Sequence, residues 1–158
     1  VKRFRPDNNA FPPVVLYVPP WTYAELLLLR SISPLYESIP VPTVQRLFDL
    51  FGGSVRDTLL RTAQLSNAYR GDWHTVEDER KHELFLTLRA CEPARILAYI
   101  DHGLAWSDKL DEETHTLFSL QASANHRNFS FAFCSNHVRD VVLNMMTQQQ
   151  RVWKIVRE

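Results

Sequence analysis

The chain has 158 residues, 45% of them hydrophobic and 11% aromatic, enough to pack one domain or two small lobes. Lys and Arg together number 18, as do Asp and Glu, so overall charge lends no support to a nucleic-acid or membrane-surface role. No apolar run is long enough to span a bilayer, and Cys91 and Cys134 stand too far apart for a metal motif and are too few for a disulfide scaffold.

The two cysteines read as free thiols of a reducing compartment. The first residue is Val1 and no secretory pattern follows, which reads as a fragment of something longer. Residues 1–13 read as an extended arm, with Lys2, Arg3 and Arg5 a solvated basic end. Residues 14–18 are a β-branched and aromatic run without alternation, the pattern of a strand buried on both faces, and Pro19-Pro20 stops it. Thr22 with Glu25 three residues on forms a capping box for a helix to about Ser31. Leu26, Leu27, Leu28 and Leu29 cover more than one face, so this helix is expected to be buried on several sides. Ser33-Pro34 breaks it, and residues 35–39 form a short turn between prolines.

A second helix follows Pro40 and Pro42, with Val44, Leu47, Phe48 and Phe51 at helical spacing and Thr43 as its expected cap. Gly52-Gly53 ends it. Ser54 caps the next helix, whose apolar positions are Val55, Leu59, Leu60 and Ala63, and Arg56 stands in its first turn. A helix N-terminus repels a cation, so an arginine there is best accommodated if it reaches toward an anion, and phosphate is the obvious one. Residues 64–73 are polar and read as a loop ending in Arg70-Gly71-Asp72, a chance adhesion-like triplet. A long helix is expected from Thr75, with Glu77 and Asp78 in its first turn, Leu84, Leu88 and Cys91 along one side, Phe85 beside them and the charged run 77–83 on a solvated face. Pro93 opens another helix over 94–101, with Ile96, Leu97 and Ile100 as its apolar stripe and His102-Gly103 closing it. Residues 107–113 are a charged connector.

Residues 116–123 and 129–133 alternate in the manner of strands, with Phe129, Phe131 and Phe133 on one face and a polar turn over 125–128. Those phenylalanines read as core, not as a base-stacking platform. Ser135 caps a last helix from His137 to about Gln150, with Val138, Val141, Val142, Met145 and Met146 as its buried stripe. Residues 151–158 either continue that helix or extend as a strand.

The four glycines are Gly52, Gly53, Gly71 and Gly103, and none lies in a phosphate loop; no apolar strand ends in paired acids for magnesium. The six histidines are scattered, so a zinc site is not expected.

The turn Gly52-Gly53-Ser54-Val55-Arg56 resembles the sensor-2 turn of AAA-type and STAND-type ATPases. The nearest likeness is to the NTPase module of Crinkler effectors and retrotransposon hot-spot proteins. Three more stretches carry it: residues 14–21, like that module's strand and Pro-Trp turn; residues 22–27, like its following helix; and residues 131–138, like its segment beyond the lid. The likeness is continuous from about Val14 to Leu65. The family usually has Ile-Pro where this chain has Ser54-Val55. The resemblance implies a mainly α fold with a small β element (α+β): an AAA-type helical lid plus a C-terminal β-hairpin and helix. Residues 1–21 would be arm and core-type strand, 22–103 the lid-like region and 104–158 the hairpin and last helix.

By the same resemblance, Arg56 contacts the terminal phosphates of ATP, held with Mg by the parent protein, while Gly52 and Gly53 shape the nucleotide-sensing turn. No catalytic or metal-binding residue is assigned, and no cofactor is expected on this chain alone. The implied partners are the N-terminal NTPase core of the same protein and further copies of the chain, with nucleic acid engaged only through other domains and no membrane. An unpaired strand 14–18 would favour dimers, segment exchange or a held partner chain. The implied setting is intracellular: a nuclear regulatory protein, or an effector secreted into host cells. The alternative reading is a non-enzymatic helical module that binds protein through its apolar helices.

Overall fold

The computed structural model describes residues 19–90, 116–124 and 129–157, with the side chains of residues 120, 129 and 149–157 outside the description. The expected strand 14–18, the basic arm, Cys91, the helix 94–101, its closing His102-Gly103, the connector 107–113 and the polar turn 125–128 all lie outside the described residues.

The fold is mainly helical with a small antiparallel β element. In chain order it comprises α1 (Tyr23–Ile32), α2 (Val41–Phe51), a π-helical turn (Arg56–Leu60), α3 (Arg61–Ala68), α4 (Trp73–Ala90), β1 (Phe118–Ala122), β2 (Phe129–Phe133) and α5 (Asn136–Arg157). The sheet of the described residues is the β1–β2 hairpin, with Phe118 opposite Phe133, Leu120 opposite Phe131 and Ala122 opposite Phe129. Alternate residues of a strand share a face, so this register places Phe131 and Phe133 of β2 on the face of Phe118. The Phe118 and Phe133 rings stack at 5.2 Å.

Helix α2 joins two cores. Its Leu47 and Phe51 enter a cluster with Leu84, Leu88, Leu117, Phe118, Val138 and Val142. Its Val44 enters a second cluster with Leu26, Ile39, Leu59 and Ala63, against which Phe48 packs. The apolar spacing of α2 is wide enough to serve both sides, and this places its C-terminal end, where the glycines stand, between the two cores.

Several local expectations hold. Thr22 and Glu25 form the reciprocal capping box, residues 34–38 turn, and α2 stops at Gly52. Arg30 ties that turn to α1 through the carbonyls of Glu37 and Ile39. Ser135 caps α5 through Val138 N–H at 3.1 Å, and α5 continues through Arg157.

Others are corrected. Thr43 does not cap α2: Pro40 occupies that position, because Pro42 belongs to the first turn, and Thr43 is buried inside the helix. The stretch after Gln64 is not all loop, since α3 runs to Ala68, and Arg70 and Gly71 take positive φ in the tight turn that follows. Helix α4 begins at Trp73, not Thr75. Its cap is Asp72, which accepts from the His74 and Thr75 N–H groups. Asp72 is thereby committed as a helix cap.

The leucine run of α1 is not buried on several sides: Leu26 is fully buried while Leu28 is 60% exposed. Conversely, the charged run of α4 is not wholly solvated, because Glu77 and Arg80 are buried. Phe85, beside Leu84, is half exposed.

Candidate functional site

The Gly52–Gly53 turn is where distant parts of the chain meet. Gly52 has φ 61°, a conformation that glycine adopts without steric penalty, and a Cβ there would lie 1.8 Å from the Cys134 carbonyl oxygen. Gly53 needs its missing side chain for a different reason. A Cβ there would lie 2.0 Å from the Trp21 carbonyl oxygen, and the Trp21 N–H donates to the Gly53 carbonyl at 3.0 Å. On the other side, the Ser135 hydroxyl donates to the Leu50 carbonyl at 2.7 Å. Thr58 closes the turn from within, its hydroxyl donating to the Gly52 carbonyl at 3.0 Å. The Pro-Trp turn, the glycine pair and the segment after β2 are thus in backbone contact, although more than eighty residues separate the last two.

A cleft of about 860 Å³ opens beside this junction. Its walls are Trp21 and Thr22 at the start of α1, Phe48, Asp49 and both glycines at the end of α2, Ser119 and Gln121 on β1, and Asn136, His137 and Arg139 at the start of α5. Arg56 does not line it. Cys134 does, but burial, reinforced by the negative charge of Asp57, pushes its thiol up to about 12 against the hydrogen bonds of Ser135. A thiol held protonated in this way is a poor nucleophile.

Arg56 opens the π-helical turn, in which the Arg61 N–H bonds the Arg56 carbonyl five residues back. Ser54 supplies the N-terminal cap, as expected: its oxygen accepts from the Asp57 N–H at 3.2 Å, and its hydroxyl donates to Asp57 Oδ2 at 2.6 Å. Asp57 is fully buried and gathers three guanidinium groups. Arg56 Nη2 lies 3.3 Å from Oδ2, Arg61 Nη1 lies 3.6 Å from Oδ1, and Arg80 Nη2 lies 3.8 Å from Oδ1. Asp57 Oδ1 meets no donor within hydrogen-bond distance among the described residues.

Arg80 anchors this group to α4. It donates to the Asp57 carbonyl at 2.9 Å, pairs with Glu83 and lies over the Phe51 ring at 4.4 Å. Burial pushes its guanidinium below the ordinary arginine range, while the charges of Glu83 and Asp57 push it back up. A guanidinium stays protonated in proteins, so Arg80 is a fixed buried cation.

Sequence reasoning placed Gly52, Gly53 and Arg56 together, and they are neighbours here, but it did not identify Asp57, Arg61 or Arg80 as parts of the site. Two signals point to them. Ser54 and Asp57 have the spacing of a reciprocal cap. Arg80 falls at steps of four residues within the stripe of Val76, Leu84 and Leu88, and so belongs to the buried face of α4.

Among the described residues no cluster of His, Cys, Asp or Glu is arranged to hold a metal ion, and no helix is long and apolar enough to cross a membrane. Comparison with family models, with curated proteins and with solved structures returned no match.

Proposed function

We propose that this chain is the lid-bearing part of a nucleoside triphosphatase of the Crinkler or retrotransposon hot-spot kind, in which Arg56 reads the terminal phosphates of ATP held by an N-terminal core. The observation that carries this reading is the junction itself. Three of the segments that resemble the family, far apart in the chain, meet at Gly52–Gly53 and leave no room for a side chain at either glycine. Arg56 is also suited to exchange partners. It is 37% exposed, and its contacts to Asp57, 3.3 and 3.4 Å, are longer than a strong charge-assisted hydrogen bond. Phosphoryl transfer needs a phosphate loop and magnesium, which the core would supply to an effector or nuclear regulatory protein.

The test is nucleotide affinity and turnover in the full parent protein. Arg56→Ala should weaken triphosphate handling by roughly one to two decades, the worth of a charge-assisted phosphate contact, with the fold intact. Arg56→Lys should restore part of it, because lysine cannot fork. Equal values for all three proteins overturn the reading, as does ATP turnover by the 158-residue chain alone.

A second reading, a helical protein-interaction module, is favoured by one observation. Leu28 and Ile32, one turn apart on α1, and Leu35 beyond them are 60%, 69% and 52% exposed. Loss of a partner on Leu28→Glu with nucleotide turnover unaltered separates the two readings.

A further inference from the structure

We infer that the cleft beside the glycine pair binds a neutral, planar heteroaromatic ring of the kind found in a purine base or its nucleoside. The inference does not rest on the lid reading, because Arg56 does not line the cleft.

Size and rigidity are the first part of the argument. A volume of about 860 Å³ matches small-molecule sites, which run from about 300 to 1,000 Å³. Backbone contacts fix the walls. The Trp21 N–H donates to the Gly53 carbonyl at 3.0 Å, and a Cβ at Gly52 would lie 1.8 Å from the Cys134 carbonyl oxygen. The glycine pair thus holds both the start of α1 and the segment after β2 against the end of α2.

Stacking surface is the second part. Trp21 is 40% exposed although its backbone is pinned to Gly53. Phe48, also in the wall, is steadied by Tyr23, with ring centroids 5.5 Å apart. A large aromatic side chain kept partly exposed on a fixed backbone offers a face on which a flat ring stacks.

The polar lining is the third part. Ser119 and Gln121 alternate on β1 and so share one face, and Asn136 begins α5. Among the described residues these three side chains have no hydrogen-bond partner within the chain. Each of them can both donate and accept. Two charged side chains of the cleft, by contrast, are already engaged: Arg139 donates to Asp140 at 2.9 Å, and Asp49 accepts from Gln45 at 3.0 Å. What the cleft leaves open is aromatic surface with neutral donors and acceptors. This suits an uncharged ring with nitrogen and oxygen atoms along its edge. A nucleic-acid strand would also need a row of cations for its backbone, so the occupant is a free small molecule.

The experiment titrates the 158-residue chain with adenine, adenosine, AMP, inorganic phosphate and a short oligodeoxyadenylate by calorimetry. Adenine and adenosine should bind, AMP should bind no more tightly than adenosine, and inorganic phosphate should not bind. Trp21→Leu, which keeps apolar bulk and loses the aromatic face, should weaken adenosine binding about tenfold, and Trp21→Phe should recover part of the loss. Gln121→Ala, at an exposed position, should weaken it about fivefold, one neutral hydrogen bond. Arg46→Ala, whose guanidinium sits on Glu77 outside the cleft, should change nothing. Melting curves of each variant separate lost binding from lost folding. Failure of adenine and adenosine to bind the wild-type chain overturns the inference, and so does unchanged adenosine affinity in folded Trp21→Leu or Gln121→Ala. AMP binding about tenfold tighter than adenosine overturns the neutral ligand. An oligodeoxyadenylate that binds about tenfold tighter than adenosine overturns the free small molecule.

Discussion

Helix α1 carries four consecutive leucines and buries one of them completely, whereas α4 carries an unbroken polar run from Glu77 to Glu83 and buries Glu77 and Arg80. Composition alone would predict the reverse. The difference lies in what stands opposite. Helix α1 packs at one edge, against α2, so Leu26 meets Val44 and Ile39 while Leu28 meets solvent. Helix α4 lies across both α2 and α3, and its inward positions must be filled even where they are charged. A buried charge is tolerable only where opposite charges and acceptors are already in place, and the π-helical turn provides them for Arg80. Leucine needs no particular partner and tolerates partial exposure at little penalty.

Three measurements can break or sharpen this contrast. The largest effect is expected at Arg80. Arg80→Ala uncovers the Phe51 ring, frees Glu83 and removes from Asp57 its one fully buried cation, at a cost of about 3 kcal/mol or more in chemical unfolding. A loss within about 0.5 kcal/mol, the surface norm, would mean that Arg80 behaves as the solvated residue its sequence suggests. Next come the leucines. Leu26→Ala should cost about 3 kcal/mol by cavity formation, and Leu28→Ala should stay within about 0.5 kcal/mol. Similar losses at both positions would show that the outer face of α1 is covered in solution.

Among the buried positions, the smallest effect is expected at Glu77. Burial alone would raise its carboxyl, but hydrogen bonds from Arg46 and Thr43 and the charge of Arg46 outweigh this and hold it below the usual 4.5. Its stabilisation is therefore present above about pH 4.5, where the unfolded carboxylate is ionised, and fades as pH falls through the lower folded value. Arg46 is 53% exposed, so solvent screening leaves the pair worth about 1 kcal/mol. Glu77→Gln should lose that amount at pH 7 and converge on the wild type under acid. A constant gap between the two proteins from pH 7 to pH 3 would mean that packing at Glu77, not its charge, matters.

Much of the framework is legible in the chain because its causes are local. Thr22 and Glu25 lie three residues apart, and so do Ser135 and Val138, so each helix start is set within one turn. The alternation of residues 129–133 specifies the hairpin face, and Gly52 ends α2 because its backbone takes a left-handed turn. Thr43 and Thr75 misled for an equally local reason: a competing cap, Pro40 or Asp72, stood a few residues upstream. The candidate site was half legible. Arg56 was conspicuous as a cation in a helix's first turn, while Asp57, Arg61 and Arg80 looked like ordinary surface charges.

What the sequence by itself determined is therefore the start of α1, the end of α2 at Gly52, the β1–β2 hairpin and the cap of α5, all consequences of hydrogen bonds and periodicities that span a few residues. What only the tertiary structure decided is which charges went inside and why both glycines are needed. Gly53 answers to Trp21, 32 residues before it, Gly52 to Cys134, 82 residues after it, and Arg80 to Asp57, 23 residues before it. Desolvation and close backbone approach depend on such neighbours in space, and spacing along the chain carries no record of them.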